Sequence, residues 1–456
     1  MLRKVAVVLS ITLGFGILSS INVASAVVVD PSTKSCLDKT VGAKAANKIV
    51  SAKKLTKAQT AQVAKCKSSS SSTGSTGSTG STSSTSSTTA GMVALNYGLI
   101  SYKLSQLEGL GNIADPALLQ VGSTLRMFFK NGNEPQIPLA GFDNKIHSFV
   151  SSDNGVTWSL ESGVRVDVSS PISVRAAESG GYEAWAWSGK GTGGEILSRF
   201  TSANGSDFTK GSGSSVIVGA CKSADGVAAT LLGDIQVVKV ASGYLAYAQD
   251  MQATGRGPFK RHACGLTSAD GVNWTLDIAR TLAPQNDIQT NPETYRNSSG
   301  VIEQILPIDK IDIQTGLRSG MQIRTSTNDG ASWTDLSELS FFAADPDRLD
   351  LTNGDSLLAF GNFDHRQGGL LGVAKKISTN YKASRTETGM ESVSWVISGA
   401  AQSAIKIKNL CQDKDLTSSV KFATSGSNIT VTYTADAGGR GNSCVYALIG
   451  AEQAIK

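Results

Sequence analysis

The chain has 456 residues, 40% apolar and 17% charged, with 48 Gly, 10 Pro and 6 Cys. That is enough apolar material for a core and too little charge for a disordered chain. Low charge with abundant Gly, Ser and Thr excludes a helical bundle or coiled coil, while the length admits one large all-β domain or two to three smaller ones.

Residues 1–26 read as a secretory signal. Arg3 and Lys4 form the positive start, Val5 to Leu18 the apolar run, and Ala24-Ser25-Ala26 the small-residue cleavage site. No other stretch approaches the ~20 apolar residues of a membrane span. The mature protein is therefore expected to be soluble and secreted, with no membrane span.

Export makes disulfides the default for Cys36, Cys66, Cys221, Cys264, Cys411 and Cys444. Six cysteines allow about 15 pairings, and locality favours 36–66, 221–264 and 411–444. No CxxC with a matching partner is present. With three histidines in the chain, no metal and no cofactor is expected.

The net charge is +5, yet residues 1–67 alone carry +9, leaving −4 for the rest. A mildly acidic main body speaks against nucleic acid as a partner. Residues 27–67 are expected to form a basic helical hairpin, stapled by Cys36–Cys66, with Thr56 as the N-cap of its second helix. Its lysines read as a solvated surface, with contact to an anionic cell-wall polymer as the other reading. Residues 68–91 are almost all Ser, Thr and Gly and read as a flexible linker.

From residue 92 the chain repeats. One element is a turn, Ser/Thr-x-x-Asn/Asp-Gly-x-x-aromatic, seen as SSDNGVTW (151–158), TSANGSDF (201–208), TSADGVNW (267–274) and STNDGASW (326–333). Asn or Asp before Gly supplies positive φ for a hairpin, and the aromatic packs the turn on its sheet. A fifth, degenerate copy is expected near Ser378–Lys382.

The second element is a strand entry, an acidic or small residue usually followed by Pro: ADPALLQVG (114–122), SSPISVRAA (169–177), GDIQVVKVASG (233–243), NPETYRNSSG (291–300) and ADPDRLDLTNG (344–354). A β-rich run follows each. Together they predict an all-β, five-bladed β-propeller over 92–398. Leu99-Ile100-Ser101-Tyr102 or Ser392–Ile397 would supply the strand that closes the ring. Residues 399–456 are expected to form a small C-terminal β region.

The aromatic turn resembles the Asp-box (BNR) repeat of sialidases and related propellers, over roughly residues 110–380. In such a fold the aromatic turns are structural and lie opposite the strand entries. The entry residues Asp115, Ser170, Asp234, Glu293 and Asp345 should then point toward one cavity. The pattern also resembles five-bladed inverting glycosidases of the arabinanase/xylosidase type (glycoside hydrolase family 43), which place Asp, Asp and Glu on blades one, three and four.

That resemblance implies Asp115 as base, Asp234 as modulator and Glu293 as acid. Asp345, Arg348, Arg261, His365 and Arg366 would contact substrate. The structural alternative is that Asp before Pro only caps a strand-entry turn. Sialidase activity is a further reading, with Arg175, Arg296, Arg348 and Arg366 and a Tyr295 pair with Glu293 or Glu303, although the early Arg-Ile-Pro signature is missing. The last is a non-catalytic glycan-binding or cell-surface module. Carbohydrate is the expected partner in every case.

Overall fold

The structure is a computed structural model. It describes residues 93–94, 97–102, 112–132, 143–191, 194–222, 228–250, 263–282, 292–307, 321–335, 337–339, 344–362, 370–378, 380–388, 392–410, 414–434, 445–449 and 453–455. The expected signal, basic hairpin and linker lie outside these residues, as do Cys36, Cys66, Cys411, Cys444, Arg261, His365 and Arg366. No helix among the described residues is long and apolar enough to cross a membrane.

The described chain is nearly all β. Four antiparallel four-stranded meanders follow one another. Sheet I holds Asn112–Val121, Thr124–Gly132, Lys145–Ser151 and Ser159–Leu160. Sheet II holds Ser173–Ala176, Tyr182–Gly191, Gly194–Ser202 and Thr209–Val216. Sheet III holds Leu232–Val240, Gly243–Asp250, Ala263–Ser268 and Thr275–Leu282. Sheet IV holds Glu293–Arg296, Ile302–Pro307, Met321–Ser326 and Ser337–Leu339.

Sheet V repeats the layout with Ala344–Asp350, Ser356–Asn362 and Leu370–Lys376, but its fourth strand is Tyr97–Ser101 from the start of the unit. The first strand of each sheet touches the first strand of the next, and that of sheet V touches that of sheet I. The architecture is therefore propeller-like, with first strands around an axis and the last sheet completed by an N-terminal strand. The N-terminal origin of that fourth strand explains why four aromatic turns exist and not five. The segment after Lys376 leaves sheet V rather than turning back along it.

Lys382–Thr388, inside the range expected for the blades, pairs instead with Ser392–Ser398, which pairs in turn with Asn428–Thr434. Facing them are Ile405–Asn409 and Val445–Ile449. Trp395, Ile397 and Val431 from one layer pack with Ile407, Val445 and Ala447 from the other, which makes the C-terminal region a two-layer sandwich.

Hydrophobic pattern explains the layering. The second strands carry side chains that are buried on both faces, as in Gly243–Asp250, because neighbouring sheets cover them. Trp185 of sheet II, Tyr244 and Trp274 of sheet III share one inter-sheet core, crossed by the Cys221–Cys264 disulfide with Cα atoms 5.9 Å apart.

The aromatic turns share one wiring. Ser151, Ser202, Ser268 and Ser326 end their strands, and each Oγ accepts the backbone N–H of Gly155, Gly205, Gly271 or Gly330 at 2.9 Å. Two residues after each Ser, an Asx side chain (Asp153, Asn204, Asp270, Asn328) accepts a later N–H. In sheets I and IV, Asn154 and Asp329 add a second left-handed residue, each at φ 58°. Each of three turns also docks on the preceding sheet through a carbonyl. Arg126 reaches Gly205 O at 2.8 Å, Trp185 reaches Gly271 O at 2.7 Å and Arg280 reaches Asp329 O at 2.6 Å.

Candidate functional site

Three strand entries share one backbone device. Asp115, Asp234 and Asp345 stand at φ 54°, 42° and 44°, each inside a register shift between first and second strands. These are β-bulges, and a short polar side chain tolerates the left-handed conformation that a bulge demands. Pro116 and Pro346 follow two of them, where a missing N–H removes no ladder bond. The three aspartates line one narrow cavity of about 10 Å³ together with Pro171. That is room for about one water. Ser170, the sheet II counterpart, turns its Oγ to the Pro171 carbonyl at 3.1 Å.

Glu293 does not line that cavity. It lies in a larger one of about 840 Å³ that runs along the first strands and opens among the turns between first and second strands, at Gly122, Ala241 and Thr352. Gln236 lines both cavities, so they adjoin. Asp115, Asp234 and Asp345 are thus brought together at one end of the axis, and Glu293 sits further along it. Arg348 also lines the larger cavity, while Arg261, His365 and Arg366 fall outside the described residues.

The larger cavity contains a carboxyl pair of which only Glu293 was expected. Glu293 is 3% and Asp347 8% exposed. Burial pushes the Asp347 carboxyl up to about 8. Burial, and then the neighbouring Asp347, push Glu293 well above the usual carboxylate range. Glu293 Oε1 accepts the Arg348 backbone N–H at 3.4 Å, whereas Oε2 has no partner among the described residues. A carboxyl kept protonated near neutral pH is able to act as a proton donor. Asp347 was legible in principle, because Asn291-Pro292-Glu293 and Asp345-Pro346-Asp347 are the same Asx-Pro-acid triplet.

Arg175, Arg296 and Arg348 line this cavity too, with Tyr295. The Tyr295 hydroxyl is hydrogen-bonded to Glu303 and to Arg348, and Arg348 bonds Glu303 at 2.7 Å and Asp350 at 3.1 Å. These groups largely satisfy one another. The two tryptophans of the second strand of sheet II do not reach the cavity. Trp185 and Trp187 are buried, and Trp187 Nε1 donates to the Asp234 carbonyl at 3.2 Å. No group of three or more metal-ligating side chains occurs among the described residues.

No protein-family model matches the chain. No curated protein matches it. Solved structures do. A glycosyl hydrolase from Bacteroides ovatus matches at 14% identity and TM-score 0.41, over 58% of this chain and 84% of that one. An alpha-L-arabinofuranosidase from Podospora anserina, in complex with cellotriose, matches at 11% identity and TM-score 0.43, over 62% of this chain and 97% of that one. A protein of unknown function from Dyadobacter fermentans matches at 11% identity and TM-score 0.39, over 76% of this chain and 100% of that one.

Proposed function

We propose that the chain is a secreted, carbohydrate-active five-bladed β-propeller that hydrolyses glycosidic bonds at carboxyl groups along its axis. Sheets I–V are its blades. The observation that carries the reading is the buried Glu293 carboxyl, driven toward its protonated form beside Asp347. In the proposed reaction Glu293 gives its proton to the leaving oxygen as the glycosidic bond breaks. Asp115 takes a proton from the attacking water where the two cavities adjoin at Gln236, and Asp234 tunes the acid through the field along the axis. Residues on separate blades are compatible with the wide carboxyl spacing, ~6.5–9.5 Å, that leaves room for that water.

The test is turnover of arabino-, xylo- and sialyl-substrates by wild type, Glu293→Gln and Asp115→Asn. Loss of activity in both variants supports the reading. Equal activity of wild type and Glu293→Gln removes Glu293 as the acid. Cleavage of the sialyl-substrates alone selects the sialidase reading.

A second reading is a non-catalytic glycan-binding or cell-surface module. It is favoured by Asp345, which has the same bulge and nearly the same φ as Asp234, so that all three aspartates perform one backbone task. Glycan binding without turnover selects it. Export through residues 1–26 is part of the proposal, and the amino terminus of the secreted protein, expected at Val27, tests it. Wall association through the basic hairpin is tested by loss of retention when residues 27–67 are deleted.

A further inference from the structure

We propose that the larger axial cavity binds a small carboxylate-bearing sugar, whose carboxylate is held by Arg175 and Lys239. The two side chains come from neighbouring first strands, of sheets II and III, and both line the cavity. They lie over the same ring. The Arg175 guanidinium carbon is 5.7 Å and the Lys239 ammonium 4.2 Å from the centroid of Tyr244.

Their fixed counter-charges are incomplete. Arg175 uses only Nε toward the protein, with Glu183 at 3.3 Å and the Ala176 carbonyl at 3.4 Å, and its two Nη groups have no partner among the described residues. Glu183 also serves Arg199 and the Tyr244 hydroxyl, so one carboxylate answers two guanidiniums. The carboxylate partner of Lys239 is Glu178, at 3.7 Å and 70% exposed. Burial lowers the Arg175 pKa, against the opposing pull of Glu183, Tyr244 and Glu178, and Arg296 on the next first strand is itself paired with Asp329 at 2.6 Å.

This wall therefore holds two partly desolvated cations whose carboxylate partners stand no closer than 3.3 and 3.7 Å. Two parallel Nη donors match the two oxygens of a carboxylate, and the compact lysine ammonium adds a point charge. The cavity, about 840 Å³, is of the size that takes small ligands. Val238 and Leu349 offer apolar contact for the carbon face of a sugar ring, while Gln120 and Thr352 offer polar groups at the mouth. The sugar component rests on the carbohydrate reading above. The carboxylate clamp rests on Arg175 and Lys239 alone.

Calorimetric titration of the full chain with galacturonate, galactose and succinate tests this. Saturable binding of galacturonate, at least tenfold tighter than either galactose or succinate, is the expected result. Arg175→Gln and Lys239→Gln should each weaken it about tenfold or more, the effect of removing a charge-assisted bond. Lys239→Arg should retain it. Thermal melting checks folding, and Lys239→Gln guards against a misfolded Arg175 variant because the Lys239 carboxylate partner is solvent-exposed. Wild-type affinity in Lys239→Gln, or galactose binding as well as galacturonate, overturns the clamp and leaves the hydrolase reading standing. Succinate binding as well as galacturonate overturns the sugar component and counts against the carbohydrate reading itself.

Discussion

Asp347 Oδ2 accepts the backbone N–H of Leu118 at 2.6 Å, joining the first strand of sheet V to that of sheet I. The same link recurs twice around the axis. Ser173 Oγ accepts from Val237 N at 2.9 Å, and Glu293 Oε1 from Arg348 N at 3.4 Å. First strands of adjacent sheets belong to separate ladders, so side chains supply bonds that no strand partner provides. Asp347→Ala should strand the Leu118 N–H and cost about 1–3 kcal/mol in denaturant unfolding, whereas Asp347→Asn keeps an acceptor and should cost less. Equal losses in the two variants would refute the link.

The same carboxyl gives stability a pH dependence. Asp347 rises from 3.8 unfolded to about 8 folded, and Glu293 moves in the same direction. The native state holds a proton that the unfolded chain releases. Its contribution is fully present below about pH 4 and is lost as pH rises toward 8. Other carboxylates, such as Glu161 and Asp329, are lowered and act in the opposite sense. The decisive measurement is therefore the difference between wild type and Asp347→Asn. The variant should gain relative stability steadily from pH 4 to 8, and a flat difference would disprove the shift.

Arg126 links sheets I and II. It forms a two-pronged pair with Glu161, 2.6 and 2.8 Å, and donates to Gly205 O. Arg126→Met should lower stability by about 2–4 kcal/mol, toward the lower end because Glu161 is partly exposed. Glu161→Gln should lose less, since it keeps an acceptor. Urea unfolding of the two variants decides the order.

Gly205 and Gly300 both need positive φ, 67° and 79°. Only Gly205 is pressed by its neighbour. A Cβ there would meet Val121 Cγ2 at 2.7 Å, while one at Gly300 meets nothing within 4 Å. Gly300→Ala should cost about 1 kcal/mol of backbone strain, and Gly205→Ala a further ~1–3 kcal/mol from the collision. Thermal melting of the pair checks this.

Cys221–Cys264 spans 43 residues and ties the connection between sheets II and III to a central strand. Replacing both cysteines by Ala should cost about 2–4 kcal/mol if the bond acts on unfolded-chain entropy. A reducing agent should lower the wild-type melting temperature and leave the double variant unmoved.

Much of this was legible because it is local. The four aromatic turns are complete within eight residues each, and their Ser, Asx and Gly wire to one another. The Asx-Pro strand entries were legible as turn chemistry, although their left-handed bulges were not. A periodic pattern predicts a fifth copy near Ser378–Lys382. The fourth strand of sheet V comes instead from Tyr97–Ser101, so a turn there would have no strand to lead into. The Asx-Pro-acid triplet marks Asp347, but its bond to Leu118, 229 positions away, is encoded by no local pattern.

Local sequence thus determined the repeated four-strand unit, its turns and the bulged aspartates, since backbone preference and period-2 burial act over a few residues. Tertiary closure decided the rest. It separated Glu293 from Asp115 and Asp234 along the axis, paired it with Asp347, and set Arg175 beside Lys239 over Tyr244. Those relations depend on which sheets become neighbours around the axis, and burial and charge act through space rather than along the chain.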